Sequence, residues 1–277
     1  MSATDQYAKI NGLRLHYREW SGPAADAPLL LLLHGFTSNA STWELFADTF
    51  TTRYRVIATD ARGHGASDWA APDAYGVDHH TDDARQFVEA LGYERVSLIG
   101  VSMGGRTAYN LAATSPDLVE RLVIVDISPG IVAAGAERIT SNVQSNDRFA
   151  SLDEAVAAQQ QMFPNAGAAA VRRRVANNLM LLEDGSFTWR YDEALRRNRT
   201  SRRDDTDEQW ALVSKITAPT LLLHGAESDV LSADLAQRMI DTIADARLVT
   251  IPGATHTITM DQPARFLAAV TPFLLAD

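Results

Sequence analysis

The chain has 277 residues, of which 46% are hydrophobic and 22% charged, enough for one large α/β domain with an insertion. Its net charge of −10 disfavours nucleic acid and anionic membranes as partners. The absence of cysteine excludes disulfides, thiolate chemistry and cysteine-ligated metal sites. The first residues lack the pattern of a signal peptide, and no apolar run is long enough to span a membrane. We expect a cytoplasmic monomer or homodimer.

Short apolar runs alternate with helical patterns in the first half of the chain. Residues 13–20 alternate between apolar and polar side chains, as in a strand with one solvated face. Further strands are predicted at residues 29–33, 55–59, 96–100 and 122–126, with helices at 77–91 and 106–114. This order predicts an α/β fold with a mostly parallel central sheet and helices on both faces.

The alternation breaks after residue 129. Residues 130–208 contain helical patterns and dense charge but no clear apolar strand. Strand patterns resume at 220–225 and 247–251, and a helix at 266–275 closes the chain. We therefore predict an α/β core of residues 1–129 and 209–277, interrupted after the sixth strand by a helical cap of residues 130–208.

Ser102 lies in the sequence Gly-Val-Ser-Met-Gly between a predicted strand and a predicted helix. In this context the G-x-S-x-G pattern forms a strand-to-helix turn so tight that its flanking positions must be small. The turn lifts the serine hydroxyl clear of the sheet, at the positive end of the following helix. Ser102 is therefore the candidate nucleophile of a hydrolase.

A serine hydroxyl needs a neighbouring base, and His256 is the best-placed histidine. It follows the last strand, on the same edge of the sheet as Ser102. His224, which ends its strand at that edge, is the reserve candidate. His16 falls within a strand. His79 and His80 open a helix and are expected at the surface.

The base in turn needs a carboxylate, and two candidates compete. Asp126 ends the strand that follows the strand and helix of Ser102. Asp229 lies in the loop after the next-to-last strand. Both positions open at the carboxyl edge of the sheet, where the sites of open α/β sheets form. An unpaired carboxylate at the end of a buried strand would be costly, which favours a functional partner for Asp126.

Several motifs at strand ends together resemble the α/β-hydrolase superfamily over nearly the whole chain. They comprise residues 34–36 (His-Gly-Phe), 60–67 (Asp-Ala-Arg-Gly-His-Gly-Ala-Ser), 100–104, 225–229 (Gly-Ala-Glu-Ser-Asp) and 253–256 (Gly-Ala-Thr-His). In most members the acid stands three residues after the glycine that matches Gly225, where this chain has Ser228. A subset carries its acid after the sixth strand, as Asp126 does. The resemblance favours Asp126 and leaves Asp229 as the alternative.

The resemblance also implies an oxyanion hole, made by the backbone N–H groups of Phe36 and Met103. It implies a serine hydrolase that needs no cofactor or metal and cleaves an ester, lactone or amide of a small acid-type substrate through an acyl-enzyme. Residues 60–67 look like a scaffold turn of the superfamily.

Other functions are weighed against this one. Hydrolases of C–C bonds in ring-cleavage products usually have Trp after the histidine, where this chain has Thr257. Cofactor-free perhydrolysis is a side activity of the scaffold, and dehalogenases and epoxide hydrolases of this fold use an aspartate in place of Ser102. A ligand-binding receptor is the non-enzymatic alternative, although such proteins usually lose a triad member.

The predicted cap is rich in arginine. We expect most of these side chains to be solvated and paired with acids, while one or two hold a substrate carboxylate. Aromatic and methionine side chains of the region pack the cap or line an apolar pocket; they are Phe149, Met162, Phe163, Trp189 and Trp210. The arginines are Arg138, Arg148, Arg172, Arg173, Arg174, Arg190, Arg196, Arg197, Arg199, Arg202 and Arg203.

Overall fold

The computed structural model describes residues 3–144, 147–197 and 207–276. Its main sheet is built from eight strands: β1 (Thr4–Ile10), β2 (Leu13–Trp20), β3 (Leu29–Leu33), β4 (Arg55–Thr59), β5 (Val96–Val101), β6 (Val119–Val125), β10 (Thr220–Gly225) and β11 (Ala246–Ile251). Their order is β1-β2-β4-β3-β5-β6-β10-β11. Only the β1–β2 and β2–β4 pairs are antiparallel. The predicted mostly parallel sheet is confirmed.

Helices cover both faces of this sheet and create two hydrophobic cores. Alternate side chains of β3 feed the two cores: Leu29 and Leu31 face one, and Leu30 and Leu32 face the other. The core helices are α1 (Ala47–Phe50), α2 (Val77–Ala90), α3 (Met103–Thr114), α9 (Ala233–Thr242), α10 (Ile258–Asp261) and α11 (Pro263–Leu275), with a short 3₁₀ helix at Ala40–Trp43. No helix within the described ranges is long and apolar enough to cross a membrane.

The periodicity of the sequence does not predict strand β1, because nearly all of this strand is exposed at the edge of the sheet. A polar edge strand has no apolar stripe to reveal it. The Asn11-Gly12 pair is the sequence signal for a hairpin that includes this strand. In the structure both residues have positive φ, as a two-residue hairpin turn requires. The hairpin joins β1 to the predicted strand β2.

The segment between β6 and β10 is mostly helical but also holds a small antiparallel sheet, which the sequence analysis does not predict. Strands of two or three residues are too short to show alternation. The described elements are α4 (Ala133–Gln144), β7 (Arg148–Phe149), α5 (Leu152–Met162), α6 (Ala168–Asn178), β8 (Leu179–Leu181), β9 (Phe187–Trp189), α7 (Ala194–Arg197) and α8 (Asp207–Val213).

Helix α8 spans the predicted boundary at residue 209. Trp210 and Val213 are buried in the main core together with residues of α3. Trp210 therefore packs the α/β core and does not line a pocket, because α8 lies against α3. By contrast, Phe149 and Trp189 belong to a separate hydrophobic cluster within residues 149–195.

The prediction that both His79 and His80 lie at the surface is wrong for His80. His80, Asp83, Ala84 and Phe87 form the buried stripe of α2, while His79 is exposed. Burial lowers the pKa of His80 from its ordinary value of 6.5 to about 4. Between about pH 4 and pH 6.5, His80 is therefore neutral in the folded protein and protonated in the unfolded chain.

This difference predicts a stability loss in acid. The folded pKa of His80 lies below the unfolded value, so its contribution is complete above pH 6.5 and lost as the pH falls toward about 4. We expect His80 to account for about 3 kcal/mol of the unfolding free energy lost over that interval. Urea denaturation of wild type, His80→Gln and the exposed control His79→Gln tests this. Parallel pH curves for wild type and His80→Gln would contradict it.

Candidate active site

Ser102 occupies a strained turn between β5 and α3. Its φ of 51° and ψ of −111° are tolerated because the turn is enclosed by close backbone packing. A Cβ on Gly100 would lie 2.2 Å from the carbonyl oxygen of Gly104, and one on Gly104 would lie 2.3 Å from that of Leu33. Neither glycine can therefore carry a side chain. The turn presents the Ser102 hydroxyl at the carboxyl edge of the sheet, as the motif predicts.

The structure brings together Ser102, His256 and Asp126. The Nε2 atom of His256 lies 3.0 Å from Ser102 Oγ, and its Nδ1 lies 2.8 Å from Asp126 Oδ2. A carboxylate can only accept, so Nδ1 carries the proton and Nε2 accepts from the serine hydroxyl. This is the geometry that a serine nucleophile with a base and an orienting acid requires.

Asp126 is completely buried, yet its carboxylate has several donors. The Gly225 N–H donates to Oδ1 at 2.8 Å, and the Ser228 hydroxyl donates to Oδ2 beside His256. Asp126 also has a positive φ of 53°, which aspartate tolerates better than most residues. Buried charge is stable only when satisfied in this way.

The alternative acid, Asp229, faces a different partner. Arg138 of α4 donates to both of its carboxylate oxygens, at 2.5 and 2.7 Å. This guanidinium holds the pKa of Asp229 below its usual value. Asp229 thus joins α4 to the loop after β10, and the structure gives it no hydrogen bond to His256 within the described chain.

The other histidines have structural partners. His224 Nε2 lies 3.1 Å from the Leu231 carbonyl oxygen, and His16 Nδ1 lies 2.8 Å from Asp60 Oδ2. Burial lowers the pKa of His64 well below its ordinary value, which keeps the ring neutral. None of these rings is hydrogen-bonded to Ser102.

The candidate oxyanion donors, the N–H groups of Met103 and Phe36, lie on two segments beside Ser102: the first turn of α3 and the loop after β3. Met103 is the first residue of α3, so its N–H has no acceptor within the helix. A Cβ on Gly35 would lie 3.5 Å from the Cβ of Ser102, which brings the backbone next to Phe36 close to the nucleophile. A helix N-terminus and an adjacent loop amide are the usual elements of an oxyanion hole.

The turn at residues 60–67 forms hydrogen bonds with the segment of residues 34–40, which contains Gly35 and Phe36. The carboxylate of Asp60 accepts the N–H groups of Ala40 and Ala66, both at 2.7 Å. The Ala61 N–H donates to His34 Nε2 at 3.0 Å, which fixes the ring that precedes Gly35. The same turn also pairs with residues 190–192, so it connects the sheet to the inserted segment.

A cavity of about 210 Å³ opens above Ser102 and His256. Apolar side chains line one part of it, including Leu45, Ile139 and Met260. Its polar lining comes from several elements: α6 contributes Arg173, Arg174, Asn177 and Asn178, α4 contributes Arg138 and Asn142, and α5 contributes Gln159. Hydroxyl side chains from the segments after β3 and β11 complete it; they are Thr37, Ser38, Ser41, Thr42, Thr257 and Thr259.

Arg173, Arg174 and Arg190 have no ion pair within the described residues, and of these three only Arg174 is not exposed. Arg138, Arg148, Arg172 and Arg196 each pair with an aspartate. Arg199, Arg202 and Arg203 lie outside the described residues. Among residues 3–144, 147–197 and 207–276, no carboxylate lies within ion-pair distance of Arg174.

The Arg174 guanidinium is held in place without an anionic partner. Its Nη2 donates to Thr37 Oγ1 at 2.9 Å, and its carbon lies 5.2 Å from the centroid of the Phe163 ring. Burial lowers the pKa of Arg174 to about 10, so it remains charged at neutral pH. Periodicity could have singled it out, because it shares the buried face of α6 with Val171 and Val175 while Arg172 and Arg173 are exposed.

The fold and the strand-end motifs together define an α/β-hydrolase. The sequence profile of the alpha/beta hydrolase fold family matches residues 28–263. The chain therefore belongs to this family, as the motifs indicate.

Its relatives include named hydrolases. The chain is 28% identical over 266 residues to the 2-(acetamidomethylene)succinate hydrolase of Mesorhizobium japonicum, covering 96% of this chain and 93% of that protein. A crystal structure of E-2-(acetamidomethylene)succinate hydrolase superimposes with a TM-score of 0.89, at 28% identity, over 99% of this chain and 100% of the other. An esterase of Mycobacterium tuberculosis is 30% identical over 278 residues, covering 96% of this chain and 86% of its own.

The geometry predicts which carboxylate activates Ser102. Asp126→Asn presents an amide to Nδ1 of His256 and favours the wrong tautomer, so we expect fluorophosphonate labelling of Ser102 to slow about 10³-fold or more. Asp229→Asn breaks only the pair with Arg138 and should label close to the wild-type rate. Rates measured by mass spectrometry of the Ser102 peptide test this. The opposite ranking would assign the acid to Asp229.

Proposed function

We propose that this hydrolase cleaves an ester or amide bond, including cyclic esters, of a small carboxylated substrate through an acyl-enzyme. The observation that carries the proposal is the hydrogen-bonded chain from Ser102 through His256 to Asp126, which borders the cavity. A serine in this arrangement is activated as a nucleophile. Under this proposal the catalytic residues are those three.

The reaction proceeds in two halves. Ser102 Oγ attacks the substrate carbonyl carbon while His256 Nε2 takes the hydroxyl proton. The tetrahedral adduct collapses, and the leaving alcohol or amine departs with that proton. Water then attacks the acyl-Ser102 ester, with His256 as base, and releases the acid and the free serine.

The remaining groups stabilise charge. The N–H groups of Phe36 and Met103 donate to the oxyanion that forms in each half-reaction. Asp126 orients His256 and stabilises its protonated form. The two N–H groups and the Asp126 carboxylate thus stabilise the transition state and are unchanged at the end of the reaction.

Residues 130–208 form the proposed cap, which selects the substrate. A charged guanidinium that is removed from water favours an anionic partner, and Arg174 has none in the described chain. Its Nη2 contacts Thr37, next to Phe36, so an anion bound to its other N–H groups would lie near the scissile carbonyl. A substrate carboxylate matches the planar donor pattern of arginine.

Two relatives support this reading. One is named for hydrolysis of an acetamido-substituted succinate, a compound with carboxylate groups, and another is named an esterase. The names agree with acyl transfer to water.

Substrate profiling tests the carboxylate. We compare the p-nitrophenyl ester of succinate, with its second carboxylate free, with the neutral ester of 4-methylpentanoate, which has a similar shape. Arg174→Gln should lower kcat/KM for the charged ester about 10- to 100-fold, as expected for a lost hydrogen bond to a charged group. The neutral ester should lose little.

Arg172→Gln is the matched control. Arg172 lies on the same helix but is exposed and paired with Asp153. Its substitution should leave both esters unaffected. Equal losses of kcat/KM on both esters in Arg174→Gln would contradict the carboxylate site. A wild-type protein that fluorophosphonate does not label would contradict the serine hydrolase and favour a ligand-binding receptor.

A further inference from the structure

Ser228 occupies the position where the resemblance implies an acid in most family members. Its hydroxyl donates to Oδ2 of Asp126, the same oxygen that accepts the Nδ1–H of His256. In the sequence, this position differs from the family pattern only in that it lacks the usual acid. The structure gives the serine a contact of its own with the candidate triad.

The direction of the Ser228 hydroxyl is fixed by its neighbours. Its oxygen accepts the backbone N–H groups of Val230 and Leu231, each at 3.2 Å. With both acceptor sites of the oxygen in use, the O–H is left to donate to Asp126. The hydroxyl therefore cannot rotate away without breaking these contacts.

The turn that carries Ser228 also holds the loop of His256. The Ser228 N–H donates to the Gly225 carbonyl oxygen, and the Glu227 N–H donates to that of Ala254, both at 2.9 Å. One short turn thus contacts the acid through a side chain and the histidine loop through its backbone. This arrangement fixes the two partners relative to each other.

We propose that Ser228 is a positioning residue for the relay from Asp126 to Ser102, a role that rests on the function proposed above. Its O–H donates to Oδ2 of Asp126 and holds this oxygen in line with Nδ1 of His256. Ser228 does not line the cavity, so it acts through Asp126 and does not touch the substrate.

Substitution of Ser228 tests this role. Ser228→Ala should lower kcat about 10- to 100-fold, the effect of one hydrogen bond to a charged group, with KM unchanged. Ser228→Thr keeps the hydroxyl and should retain most of the activity. Ser232→Ala is the matched control, since Ser232 caps α9 in the same loop and does not contact the triad. It should lower stability but not kcat.

A double-mutant cycle shows whether the effect passes through Asp126. In the Asp126→Asn background there is no carboxylate to position, so adding Ser228→Ala should slow Ser102 labelling little further. The same fold loss in both backgrounds would overturn the positioning role and leave the proposed function intact. Full activity of Asp126→Asn alone would instead overturn the assigned acid, and the role of Ser228 with it.

Discussion

The site depends on one buried negative charge. Asp126 has no exposed surface, and a carboxylate in such a place must be satisfied by donors. Those donors come from Gly225 at the end of β10, from Ser228 in the loop that follows it, and from His256 in the segment after β11. The requirement to satisfy this charge therefore ties together the ends of three neighbouring strands. The geometry of the candidate site follows from the same contacts that make the buried charge tolerable.

The second constraint is steric and acts on Ser102, the candidate nucleophile. Helix α3 begins so close to β3 and β5 that only glycine fits at 100 and 104. Close approach leaves Ser102 in a strained conformation, which the surrounding strands and helix maintain. The strain and the buried charge act at adjacent strand ends, β5 and β6. Ser102 and Asp126, both with positive φ, are thus fixed by the rigid sheet, while the ends of β10 and β11 and the loops that follow them supply their partners.

The sequence predicts most of the fold and the turn that carries the candidate nucleophile, because both depend on local patterns. Apolar runs mark strands that are buried on both faces, and the serine turn needs small residues at fixed spacing. The choice between Asp126 and Asp229 is harder, since it depends on side-chain direction in a loop. In the structure Arg138, about 90 residues away in the chain, draws Asp229 to α4. No periodicity reports such a long-range contact.

The pocket is the part that sequence patterns describe least. Eleven arginines look alike in the sequence, yet the three in α6 have different environments because helical phase decides which of them face solvent. In α6, Arg172 is exposed and paired with Asp153, whereas Arg173 and Arg174 both line the cavity, and of these two only Arg174 is partly buried. Keeping a guanidinium there costs desolvation energy, which an anionic ligand offsets on binding. Asp126 requires donors and Arg174 favours an anion for the same reason, because removing a charge from water is costly. Under the proposed function, the first charge is satisfied within the protein and the second by the substrate.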